Sequence, residues 1–140
     1  MAEYTAVAEQ TVASNQAVIY NEEAVSGNCS ILHREGSGIV TLRGITNQCR
    51  ARFKVSFGAN IAIPDGGTVD EISLAIAIDG EPLGASTMII TPAAVEEYQN
   101  VYASAFIDVP RGCCILISVE NTSTQAILVQ NANLIVERTA

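Results

Sequence analysis

Charge is scarce in this chain. Charged residues make up 16% of the 140 positions, against about a quarter in ordinary soluble proteins. So little charge cannot cover a monomer's surface, and some apolar area is expected to be buried against another chain. What charge there is leans acidic, with a net charge of -8, six arginines and a single lysine, Lys54. Such a chain is repelled by phosphate backbones and by anionic lipid, so neither nucleic acid nor a membrane surface is an expected partner. There is no tryptophan, and aromatic residues amount to 5%; the apolar pool is small and aliphatic. No run approaches the length of a transmembrane helix. The N-terminus carries Glu3 and Glu9 where a signal peptide needs a basic end and an apolar core. The expectation is a protein that is cytosolic at birth, or exported by a route with no visible signal.

Histidine is almost absent too. His33 stands alone beside Arg34 and Glu35, in a stretch flanked by Gly36 and Gly38. A serine or cysteine nucleophile needs a general base, and acid–base work needs carboxylates in unlike surroundings. Glu22-Glu23 and Glu96-Glu97 are instead adjacent pairs in turn-like segments that read as solvated surface. Cys29, Cys49, Cys113 and Cys114 form no CxxC pair, which is poor material for zinc. They read as thiols acting as small apolar residues; a Cys29–Cys49 bridge would need their strands to be neighbours. Asp65-Gly-Gly67 and Asp79-Gly80 lack the regular acidic spacing of a calcium loop, and hairpin chemistry explains both. Asn28-Cys-Ser30 and Asn121-Thr-Ser123 match the glycosylation sequon, which carries weight only in a secreted chain. No catalytic residue, cofactor or metal is expected.

What the chain has in quantity is short β-branched segments cut by turn residues, and these read as strands. The fullest set lies in Phe106 to Arg138. There Pro110-Arg-Gly112 and Asn121 to Gln125 separate apolar runs, and Asn131-Ala-Asn133 leads into Leu134-Ile-Val136. Over Cys49 to Ala62, Phe53, Val55 and Phe57 alternate with Arg52, Lys54 and Ser56, which gives one core face and one solvent or interface face. Ile72, Leu74, Ile76 and Ile78 alternate with small residues only, so their second face is expected to lie against another surface. Pro92 to Gln99 has helical propensity and is read either as one short helix or as a loop. Tyr4 to Val18 is small and polar, which predicts a flexible arm over residues 1–16 followed by one domain over 17–140. Eight or more short strands argue an all-β, antiparallel β-sandwich of the jelly-roll kind.

Three stretches carry a family resemblance. "FKVSFGANI" (Phe53 to Ile61), "ISLAIAIDGEPLGAS" (Ile72 to Ser86) and "FIDVPRGCCILISVENTS" with its "ANLIVERTA" ending resemble the strands and hairpin of the C1q/TNF-like trimeric jelly roll. The likeness is nearest to compact bacterial and phage forms such as the C-terminal domain of the exosporium collagen-like glycoprotein. It covers roughly residues 30–140. There is no Gly-X-Y region, and aromatic content is lower than in that family. The resemblance implies a homotrimer with the C-terminal strand (Leu134, Ile135, Val136) near the three-fold axis. The ending "NANLIVER" (Asn131 to Arg138) resembles proteins of gut-bacterial phages. With no active site in view, this gives the expectation of a non-enzymatic structural protein decorating a phage capsid, a virion protein made in the host cytoplasm. The N-terminal arm (Tyr4, Val7, Val12) would then dock to the particle. The alternative is a C1q-like ligand- or glycan-binding module on a bacterial surface or phage tail fibre.

Overall fold

A computed structural model describes all 140 residues. Twelve strands follow one another: β1 (Ala2–Ala6), β2 (Gln10–Val12), β3 (Glu22–Val25), β4 (Ile31–His33), β5 (Val40–Arg43), β6 (Arg50–Ala62), β7 (Ile72–Ile78), β8 (Glu81–Pro82), β9 (Met88–Ile90), β10 (Gln99–Pro110), β11 (Cys114–Asn121) and β12 (Ile127–Arg138). They form two antiparallel six-stranded sheets. One has the order β10-β6-β12-β1-β3 with β2 added to β12; the other has β4-β5-β11-β7-β8 with β9 added to β7. This is the expected all-β jelly roll.

The packing follows from alternation. Along β6 every odd residue from Ala51 to Ile61 is buried, while the even residues between them face outward. Because side chains in a strand point alternately to opposite faces, the sequence pattern settles which face is core. Phe53, Val55 and Phe57 meet Ile72, Leu74 and Ile76 of the opposite sheet within one cluster of 30 buried residues. Strand β7 is buried on both faces, since Ala75 and Ala77 are covered as completely as its isoleucines. Turn chemistry behaves as read: Asp79 (φ 51) and Gly80 (φ 85) both take positive φ between β7 and β8, the geometry of a tight hairpin.

Two expectations change, and of the two readings of Pro92 to Gln99 the loop is the one found. The flexible arm over residues 1–16 is instead part of the sheet. Strand β1 lies between β12 and β3, pairing Ala2 with Val136 and Tyr4 with Leu134 on one side and Thr5 with Glu22 on the other. Ala2, Tyr4, Ala6 and Val12 are buried, while Val7 is exposed. A small, polar segment looks loose in sequence, yet its backbone groups complete the ladder between two strands, which small side chains do not hinder. Pro92 to Gln99 forms bends and turns and no helix. Glu96 takes φ 58 and its N–H donates to the Ile63 carbonyl at 2.7 Å; eight residues are too few to offset the cost of nucleating a helix. Asn131-Ala-Asn133 does not end a strand. It is a bulge inside β12, with Asn131 at φ 56 and a register shift between Gln130 and Asn133.

Asn121 anchors the end of β11. It is fully buried, donates from Nδ2 to the carbonyls of Val12 (3.0 Å) and Gln125 (2.9 Å), and accepts from the Ser123 N–H. Asn121→Ala should destabilise the fold by about 2–4 kcal/mol, because several buried polar groups lose their partner at once, read from denaturant midpoints. Deleting residues 1–6 should cost more than about 3 kcal/mol, since a central strand and the Tyr4 side chain leave the core. An unchanged melting curve after that deletion would restore the flexible-arm reading.

Candidate functional site

The residues that sequence reasoning examined for chemistry are dispersed. The His33 side chain is wholly buried. Its Nδ1 faces Glu23 Oε1 at 3.2 Å and its Nε2 faces the Ser37 carbonyl oxygen at 2.8 Å. The ring packs 4.4 Å from that of Tyr4 and 6.1 Å from that of Tyr20, whose hydroxyls are buried without a partner. His33 therefore ties β4 to β1 and β3 from the inside of the sandwich. Glu22, Glu96 and Glu97 lie on the surface.

All four cysteines are free and exposed, so they are not the small core residues that sequence suggested. Cys113 lies in the turn after β10 and Cys114 opens β11, where the sandwich no longer covers them. No group of three or more His, Cys, Asp or Glu side chains is placed to hold a metal ion. The sequon residue Asn121 is buried and fully bonded.

The feature that stands out is the outer face of the β10-β6-β12-β1-β3 sheet. Strand register places Phe106 beside Lys54, Ser104 beside Ser56 and Tyr102 beside Gly58; across β6, Ile135 lies beside Ser56 and Asn133 beside Gly58. Tyr102 and Phe106 are 63% and 64% exposed, with small residues filling the rows between them. A Cβ at position 58 would meet Tyr102 Cδ2 at 3.8 Å, an ordinary van der Waals contact, so the space there would accept alanine. Hydrogen bonds with Ser56 and Ser104, helped by Lys54, hold the Tyr102 phenol below its ordinary value. Two large aromatic side chains standing beside Lys54, Ser56, Gly58 and Ser104 make an exposed flat face and not a pocket for a small molecule,. Sequence reasoning placed the outward parity of β6 correctly but overlooked Tyr102 and Phe106, although their even numbering within an alternating strand marked them.

Of the residues expected at an intersubunit contact, Leu134 and Val136 point into the sandwich and are buried at 1% and 0%. Ile135, of opposite parity, is the one whose side chain is on the outer face. Of the expected docking residues, Tyr4 and Val12 are core, and Val7 is 55% exposed. The clefts are shallow. One of ≈ 470 Å³ is lined by Leu32, His33, Arg34, Ser37, Ile39 and Thr41.

No family profile matches the chain, and no curated protein sequence does. Solved structures do match, over nearly the whole length. The globular domain of zebrafish complement 1qA protein superposes with a TM-score of 0.64 at 12% identity, over 96% of this chain and 94% of that one. Eiger TNF from S. frugiperda gives 0.71 at 11% identity over 99% and 91%. Murine APRIL gives 0.64 at 12% identity over 97% and 98%. The fold is thus the C1q/TNF-like jelly roll.

The four tyrosines should titrate in two classes. Burial, with the Glu23 charge adding to it, pushes Tyr4 up to about 12. Burial also raises Tyr20, and burial together with its hydrogen bond to Glu9 pushes Tyr98 up to about 12. Raised phenols stabilise the folded state fully below the ordinary value of 10.0, and that stability is lost as pH rises through about 12,. Tyrosinate absorbance should therefore show one phenol ionising early, and Tyr102→Phe should abolish that step. A single transition carrying all four tyrosines would contradict this placement.

Proposed function

We propose that this chain is a non-enzymatic structural module that works as a homotrimer, with the outer face of the β10-β6-β12-β1-β3 sheet as its subunit contact. The observation that carries the reading is the pair Tyr102 and Phe106, both more than 60% exposed beside Lys54, Ser56, Gly58 and Ser104. Low overall charge points the same way, since 16% charged residues leave a monomer with apolar area to cover. The C1q/TNF-like fold adds to this, because the family it resembles is trimeric. The finer role that we carry forward is decoration of a larger particle, with a phage capsid as the leading case and the virion as its location. Attachment through Tyr4 and Val12 is given up in this reading, since both are core residues.

The ligand-binding alternative has one observation of its own. It is the ≈ 470 Å³ cleft at Leu32, His33, Arg34 and Ser37. A saturable glycan on an array, lost in Arg34→Ala, would favour that reading over decoration.

Light scattering tests the trimer. A mass of about 44 kDa is expected, three times the 14.7 kDa chain,. The double substitution Tyr102→Arg with Phe106→Arg should return it to 14.7 kDa with the melting temperature of an isolated protomer. A wild-type monomer would overturn the proposal.

A further inference from the structure

The net charge of -8 is unevenly spread: arginines concentrate at one end, although Asp108, Glu137 and the Asp79-Gly80-Glu81 hairpin lie on the same half by register. Five of the six arginines, Arg43, Arg50, Arg52, Arg111 and Arg138, gather at one end of the sandwich. That end is formed by the close of β5, the start of β6, the turn after β10 and the close of β12. Short bonds link the set. Arg138 Nη1 donates to Ser30 Oγ at 3.2 Å, and the Arg43 N–H donates to the Ser30 carbonyl at 2.9 Å. Arg52 Nε and Arg50 Nε both donate to Asp108, at 2.8 and 3.1 Å. The Arg111 N–H donates to the Cys49 carbonyl at 3.0 Å, next to Arg50. Two guanidiniums thus share one carboxylate, and Asp108 is held ionised below the usual range, chiefly by its hydrogen bond from Arg52. The carboxylate of Glu137 stands beside Lys54 in register. Arg43, Arg50 and Arg111 are exposed.

The opposite end carries Glu9, Glu35, Asp65, Asp70, Glu71, Glu96 and Glu97, in or beside the loops that enter β5 and β10 and leave β6, with Arg34 as its cation. A domain that as a whole repels anions therefore presents one cationic end.

We propose that this arginine end is the docking surface for an acidic patch on a partner protein. Planar guanidinium forks match carboxylates, and Arg50 and Arg52 already grip Asp108 in that manner while keeping donors free. Exposed Ile45, directly after Gly44 in the same end, offers an apolar contact to a protein surface. A long polyanion such as duplex DNA or a sulfated glycan would overrun this end and meet the acidic flanks; a compact carboxylate cluster would not. Arg50 and Arg52 share the outer face of β6 with the proposed subunit contact, whereas Arg43 on β5 and Arg111 in the turn after β10 lie off that face, so these two carry the docking site that the N-terminal strand cannot supply.

The test uses the full chain and a fluorescein-labelled decaglutamate peptide, followed by anisotropy. Binding should be saturable at about 20 mM salt and weaken at least about tenfold at 300 mM. Arg43→Glu with Arg111→Glu should weaken it at least about tenfold at low salt, and Arg34→Glu less than about twofold. Arg111→Ala, which removes a side chain with no partner, should weaken binding without altering the melt. Absence of binding, an equal loss in Arg34→Glu, or tighter binding of heparin or a short duplex would overturn the proposal. A mass that grows at low salt without peptide would assign this end to the acidic end of a second copy, overturning a foreign partner. Light scattering on the same samples reports the trimer separately.

Discussion

Strand β6 is what the rest of the structure hangs on. It runs for 13 residues, pairs with β10 along twelve positions and with β12 along nine, and sends Phe53, Val55 and Phe57 into the single core cluster. Burying those faces removes enough apolar surface from water to fix the register, because a slip of one residue would turn Arg52 and Lys54 inward. Everything that matters on the opposite face follows. Once the odd positions are committed to the core, Lys54, Ser56 and Gly58 must lie outside, beside Phe106, Ser104 and Tyr102 in register.

The same constraint explains why the molecule has surfaces more than pockets. Side chains fill the space between the sheets, so its polar residues are pushed to loops or used as internal ties. His33 and Asn121, the two polar side chains with chemistry to offer, are spent on holding strands together. What is left for function is shape and charge: one flat aromatic face along the sheet and one cationic end. In the proposed reading the face assembles copies and the end attaches them, which is how a structural module would use them.

Fold class was legible in the sequence to a large degree, since period-two alternation in β6 and β7 and the Asp79-Gly80 turn are local signals. The site was less so. The resemblance points to Leu134, Ile135 and Val136 together, but strand parity makes Leu134 and Val136 core and leaves only Ile135, between them, on the outer face,. The N-terminal segment misled for another reason. Ala2, Thr5 and Ala6 have little side chain to reveal a strand, and only the neighbouring backbones of β12 and β3 give them their place. The cysteines show the same limit, because burial depends on where a turn falls, and Cys113 and Cys114 fall at an open end.

By itself the sequence determined the alternation, the turns and the total charge, all of which depend on residues a few positions apart. Only the tertiary structure decided how that charge is distributed. Arg43, Arg52, Arg111 and Arg138 are far apart along the chain, and antiparallel pairing of β5, β6, β10, β11 and β12 brings them to one end. Net charge is a sum and carries no position; strand direction supplies the position.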